Sequence, residues 1–218
     1  MSGIVGSKFN IRGSGLVGSL GTDGQHMLSA GAGKTNVFET IAAAGGAWNK
    51  IITQTITSTT ASMDFVDGVG DCVFDNTYRR YCCIFDDYLP SDDTGHLKIR
   101  MRQSDSFVTT GYIYSMIALY GGSVGTYSAT DTALIIDHVG NAADETVMGE
   151  IWFQNPSNAN TKPLCHGTLC FVHGSDSHNH LYAGCGGINT TGAIDGFQFS
   201  PTAGDIENLQ ATLYGITT

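Results

Sequence analysis

The stretch His96-Leu97-Lys98-Ile99-Arg100-Met101-Arg102 constrains the fold more than any other. Leu97, Ile99 and Met101 alternate with Lys98, Arg100 and Arg102. A period of two puts the apolar side chains on one face of a strand and the cations on the other. Such a strand has one wet face, which belongs to an antiparallel sheet rather than to a parallel sheet covered by helices on both sides. The same idiom recurs along the chain. Trp48–Ser58 is rich in β-branched residues, with Ile52 and Ile56 facing one way and Thr53, Thr55 and Thr57 the other. Tyr81–Tyr88 is apolar on both faces and suits a central strand. Further strand candidates lie at 62–66, 111–120, 133–139, 149–155, 167–174, 180–186, 196–200 and 209–217. Turn signals separate them: Asp67-Gly68, Ser91-Asp92-Asp93, Asn155-Pro156, Asp195-Gly196 and Gly204. Short strands at this spacing predict an all-β chain, an antiparallel sandwich or barrel. The composition agrees, with 29 glycines and no long run of helix-forming residues in 218 residues. The last strand candidate is expected to be stitched into a sheet.

Residues 1–47 read differently. They are glycine-rich and carry no apolar pattern able to close a core, so they are expected to be an extended arm, either disordered or ordered against partner chains. A turn is predicted at Asp23-Gly24, a short strand from Gln25 to Ser29, and a second turn through Gly31–Gly33. Gly33-Lys34-Thr35 imitates the end of a phosphate-binding loop. The loop fails its own test, because the position of its first glycine holds Leu28 and no buried strand precedes it. The boundaries are therefore an arm at 1–47 and a β domain at 48–218.

Charge narrows the partners. A net charge of −10 argues against nucleic acid, which demands a basic face. The first 40 residues are slightly basic, with Lys8, Arg12 and Lys34 against Asp23 and Glu39, while no Lys or Arg follows Lys162. No stretch has the length of a membrane span or the apolar core of a secretory leader, so synthesis in a cytoplasm and no membrane partner are expected.

Several side-chain groups invite a chemical reading. Residues 165–185 hold Cys165, His166, Cys170, His173, His178, His180 and Cys185, but no finger or knuckle spacing. His178 and His180 stand two apart and, on a strand, point the same way. Gly174–His178 contains Ser, Asp and His without a nucleophile elbow. Asp86-Asp87 and Asp92-Asp93 flank a short loop candidate without a calcium-loop pattern. Tyr112, Tyr114, Tyr120 and Tyr127 are either core residues or a stacking surface for sugars. The six cysteines read mainly as small buried hydrophobes. None of this names a catalytic residue, a metal ligand or a cofactor, and the chain is expected to be non-enzymatic.

Two stretches carry a family likeness. Leu20–Gln25, Leu28, Ser29, Gly31, Gly33 and Phe38-Glu39 resemble a motif of phage tail-fibre and related virion proteins, with His26-Met27 departing from it and Phe38 standing where Trp is commoner. The remainder, from Ile56–Phe65 through Ile151–Asn158 and Ala193–Ser200 to Gly204–Ile216, is similar to the jelly-roll-like domain of structural proteins from marine tailed phages. The resemblance implies a jelly-roll-like antiparallel β-sandwich in a homotrimeric virion protein, made in the host cytoplasm and mounted on the particle. Its partners would be further copies, a major capsid protein or a tail or neck protein, and host surface glycans. Arm residues Arg12, Leu20, Asp23, Gln25, Leu28 and Phe38 are the expected docking contacts, with Asp23 fixing a turn. A short arm beside a domain of this size leaves no room for a long shaft. That favours capsid decoration or a head appendage over a tail fibre or adhesin.

Overall fold

The computed structural model describes residues 26–28, 37–39, 47–93, 95–136, 139–173 and 178–217. The chain divides into two compact units, Met1–Gly46 and Ala47–Thr218. In the first unit, β1 (His26–Leu28) pairs antiparallel with β2 (Val37–Glu39). The predicted short strand is there, and Val37–Glu39 folds back on it. That part of the expected extended arm is a hairpin.

The second unit is an antiparallel β-sandwich, as the alternation requires. The larger sheet has eight strands in the order β3 (Trp48–Ile56), β15 (Ile206–Ile216), β5 (Arg80–Pro90), β11 (Val147–Gln154), β12 (Leu164–Val172), β13 (Asn179–Ile188), β8 (Tyr112–Tyr120), β9 (Ser123–Asp131). The smaller runs β10 (Leu134–Ile136), β6 (Leu97–Gln103), β14 (Gly196–Pro201), β4 (Met63–Val66), with β7 (Ser106–Phe107) beside β6. The chain passes repeatedly from one sheet to the other, so some neighbours, such as β15 with β3 and β5 or β13 with β8, are distant in sequence, while β11-β12-β13 and β8-β9 follow one another. The described residues contain no helix.

Each sheet turns its apolar period inward. Leu97, Ile99 and Met101 are at most 3% exposed. β5 is central, between β15 and β11, as its two apolar faces predict. The core between the sheets is aromatic. Phe197 of β14 meets Phe153 of β11 across the sandwich at 4.7 Å and stacks on Phe65 of β4 at 4.9 Å. Phe85 meets Phe199 at 5.1 Å. Phe74 drops into this group from the loop after β4, 5.5 Å from Phe197. Its backbone N–H donates to Asp67 Oδ1 at 2.8 Å, which holds the loop down. Two tyrosines tie polar backbone groups inside. The Tyr112 hydroxyl accepts from Met101 N–H at 2.6 Å, and the Tyr88 hydroxyl donates to Gly95 O at 3.0 Å. Arg102 donates to Asp195 at 2.6 Å and to Asp105 at 3.0 Å, clamping the end of β6 to the segment before β14.

The six cysteines are free thiols. Cys72, Cys82, Cys83 and Cys165 are buried, as expected of small hydrophobes, whereas Cys170 and Cys185 are exposed.

Candidate functional site

The two sheets differ in width, and the difference makes a surface. The short strand β10 closes one edge of the smaller sheet. Leu134 of β10 lies over β13 and β8, so near that a Cβ on Gly186 would come within 2.6 Å of its Cδ2 and of Tyr114 Cβ. Farther out, β9 contains no buried residue. The inward faces of β8 and β9 are only partly covered there.

That partly covered face is aromatic. Alternation along β8 sends Tyr112, Tyr114, Met116, Ala118 and Tyr120 inward, and β9 adds Tyr127. Tyr112 is fully buried and committed to Met101, so of the two readings for the tyrosines it takes the core one. Tyr114, Tyr120 and Tyr127 are half-buried. A Cβ on Gly125 would lie 3.0 Å from the Tyr120 ring and 3.3 Å from the Tyr127 ring. The missing side chain therefore lets both rings close over the strand. Tyr120 stacks on His180 at 5.2 Å, and Tyr127 stacks on Tyr182 at 5.9 Å. His180 stacks in turn on His173 at 4.5 Å. The result is a shelf of rings whose orientation is set by packing. Asp131 stands on the same face of β9 and accepts from Thr132 N–H at 2.5 Å. Beneath the shelf lies a cavity of about 70 Å³, lined by Tyr114, Met116, Leu134, Tyr182 and the inward glycines Gly167, Gly184 and Gly186. Gly167 and Gly184 face each other across β12 and β13. The void sits where two neighbouring side chains are missing.

The other predicted groups fall out differently. His178 precedes β13, and the partner of His180 is His173, because a strand begins at Asn179 and only His180 takes its alternation. Asp86 and Asp87 belong to β5 and Asp92 to the turn beyond it, separated by the buried Tyr88 and Pro90. Among the described residues, no three His, Cys, Asp or Glu gather as a metal centre. Within Gly174–His178, residues 174–177 lie outside the described residues, as do Arg12, Leu20, Asp23 and Gln25. Leu28 and Phe38 occupy adjacent rungs of the hairpin, Leu28 opposite Val37 and Phe38 opposite Met27.

A second surface had no counterpart in the sequence reading. It is the outer face of the larger sheet. One rung crosses five strands as Met148, Cys170, Leu181, Leu119 and Val124. Four of these side chains are 56%, 40%, 45% and 68% exposed, for Met148, Leu181, Leu119 and Val124 in turn, and the Cys170 thiol is exposed as well. Ile117 adjoins this rung; Ile84 is exposed on the same face beyond Glu150, and Leu164 and Ile113 beyond the rung of His166, Cys185 and Ser115. Toward β3 the face changes character. Trp48, Trp152 and Tyr214 pack edge to face at 5.2 and 5.6 Å, and Cys82, between Trp152 and Tyr214 on one rung, is buried.

No protein-family model matches the chain, and neither does any curated protein. Among solved structures, the chain aligns with the binding domain of Botulinum Neurotoxin DC in complex with SialylT, at 10% identity and TM-score 0.25 over 89% of this chain and 48% of that one. It also aligns with the CBM2 module of Lactobacillus casei BL23 phage J-1 evolved Dit, at 8% identity and TM-score 0.18 over 76% of each. The chain spans about half the length of the toxin domain. Superpositions this loose carry no functional argument, which rests on the surfaces themselves.

Proposed function

We propose that this chain is a non-enzymatic attachment protein of a phage particle, whose sandwich binds glycans on the aromatic shelf. The observation that carries this reading is the half-exposed set Tyr114, Tyr120 and Tyr127 on one face. Rings held rigidly by neighbours offer flat apolar area at little entropic cost, which suits the C–H face of a sugar. Asp131, at the edge of the same face, supplies an acceptor for sugar hydroxyls. The N-terminal unit, with its phage-like motif and basic bias, serves as the mount on a capsid, tail or neck partner. Capsid decoration or a head appendage remains the reading for that mount. The shelf adds host-surface glycans as the thing held.

The test is a glycan array probed with the full chain, followed by titration of the best ligand. Tyr120→Ala with Tyr127→Ala is expected to weaken binding roughly five- to 150-fold, at about 0.5–1.5 kcal/mol per ring. Unchanged affinity in the double variant, or an array with no ligand, sinks the glycan reading. Hydrolysis of the bound glycan would overturn its non-enzymatic part.

A further inference from the structure

Ring stacking leaves the cavity beneath the shelf without a role. On one inward rung of the larger sheet, Ile151 and Met116 flank Gly167 and Gly184. Leu134 of the smaller sheet lies opposite and also lines the cavity. Glu150, His166 and Cys185 border it too, and the period of two turns their side chains to the outer face. No charged side chain points in. The chain cannot fill this hole at its glycines. A Cβ on Gly167 would run into the Glu150 carbonyl, and one on Gly184 would come within 2.5 Å of Ser115 O. The strands are too close there for any side chain, so the hole is built into the sheet. It is not sealed either, because Tyr114, Met116 and Gly184 are partly exposed. Two of its walls belong to the shelf. Tyr114 is one of the shelf rings, and Tyr182 carries Tyr127 on its face.

We propose that this cavity takes the methyl end of an acetyl group on the glycan, so that the shelf selects acetylated sugars. The inference rests on the glycan reading of the shelf and narrows it to one class of ligand. Size selects the group. An apolar cavity of ~150 Å³ holds a benzene ring. The cavity here, at about 70 Å³, has room for about three non-hydrogen atoms. An acetyl group has that size. A lone methyl would leave most of the hole empty, and a longer acyl chain would overfill it. Polarity agrees with size. The methyl needs no hydrogen-bond partner and enters hydrocarbon, while the carbonyl oxygen stays at the mouth within reach of water. An apolar hole of this kind stays dry, so filling it displaces no bound water. The acetyl group can be held to the sugar as an amide or as an ester, since the methyl is the same in both.

The test applies the full chain to a glycan array in which each acetylated glycan is paired with the same glycan lacking the group. The acetylated member is expected to bind roughly four- to fifteen-fold tighter, for one or two carbons removed from water. Mild alkali strips esters and spares amides, so a treated copy of the array tells which linkage is read. The best ligand is then made with formyl, acetyl and butanoyl groups at the same position. Acetyl is expected to bind best. Met116→Ala enlarges the cavity and is expected to move the optimum to butanoyl. The acyl series on the parent protein decides the matter even if that variant misfolds. Equal affinity within the pairs, or a parent that binds formyl or butanoyl as well as acetyl, overturns the inference and leaves the glycan reading standing. An optimum that stays at acetyl in a folded Met116→Ala also overturns it, because the acetyl group would then sit elsewhere. An array with no ligand at all overturns both.

Discussion

Phe197→Ala is expected to lower the stability of the sandwich by about 3–5 kcal/mol. Phe197 is fully buried and stands where the two sheets meet. Its ring touches Phe65 and Phe199 within its own sheet, Phe153 across the sandwich, and Phe74 from a loop. Truncation removes the transfer free energy of the ring and leaves a hole. The surrounding rings belong to four segments of chain, and the strand residues among them, Phe65, Phe153 and Phe199, cannot shift inward without pulling their strands out of register. The melting temperature should fall on the order of 10 °C for a domain of this size. Urea unfolding with an unchanged slope checks the assignment. A loss under ~1 kcal/mol would mean that the site collapses freely, contrary to close packing here.

The second large effect concerns a glycine. Gly167→Ala is expected to cost about 1–3 kcal/mol. A Cβ there would overlap the backbone carbonyl of Glu150 on the neighbouring strand, and that carbonyl cannot rotate away as a flexible side chain would. The 70 Å³ cavity nearby offers no relief, because the collision is with the adjoining strand rather than with the opposite sheet. Equilibrium unfolding of the variant checks this. A stability equal to the parent's would show that β11 and β12 separate easily at this rung.

How much of this was legible in the sequence differs from strand to strand. β6 could be read directly, because its apolar and charged residues keep strict time. β9 went unread, because Ser123–Asp131 is mostly small and polar and carries no apolar period. Its signal was instead the pair Gly121-Gly122. Both residues take positive φ, at 51° and 82°, as a tight two-residue hairpin requires. Missing β9 obscured the shelf, since Tyr127 belongs to it. Tyr112 and Tyr114 are two residues apart and look alike in sequence. Only the crossing of β6 decides that one is sealed and the other half open. The outer face was hidden for a different reason. Met148, Cys170, Leu181, Leu119 and Val124 lie on five separate stretches of the sequence, none of which marks them as neighbours. They become a patch through a strand order that no local pattern encodes.

The position of β15 has a consequence for how the protein is made. β15 lies between β3 and β5, and the Thr53 and Thr212 hydroxyls that meet across it at 2.9 Å are 159 residues apart. The larger sheet is continuous only when its first strand has found its last. Closure over so long a span is slow, on the scale of milliseconds to seconds for sheet proteins of this kind. Until then β3 and β5 hold open edges that accept any passing strand. Crowding of nascent copies therefore sets a kinetic hazard for this protein, and its yield should depend on the rate of synthesis as well as on the stability of the finished fold.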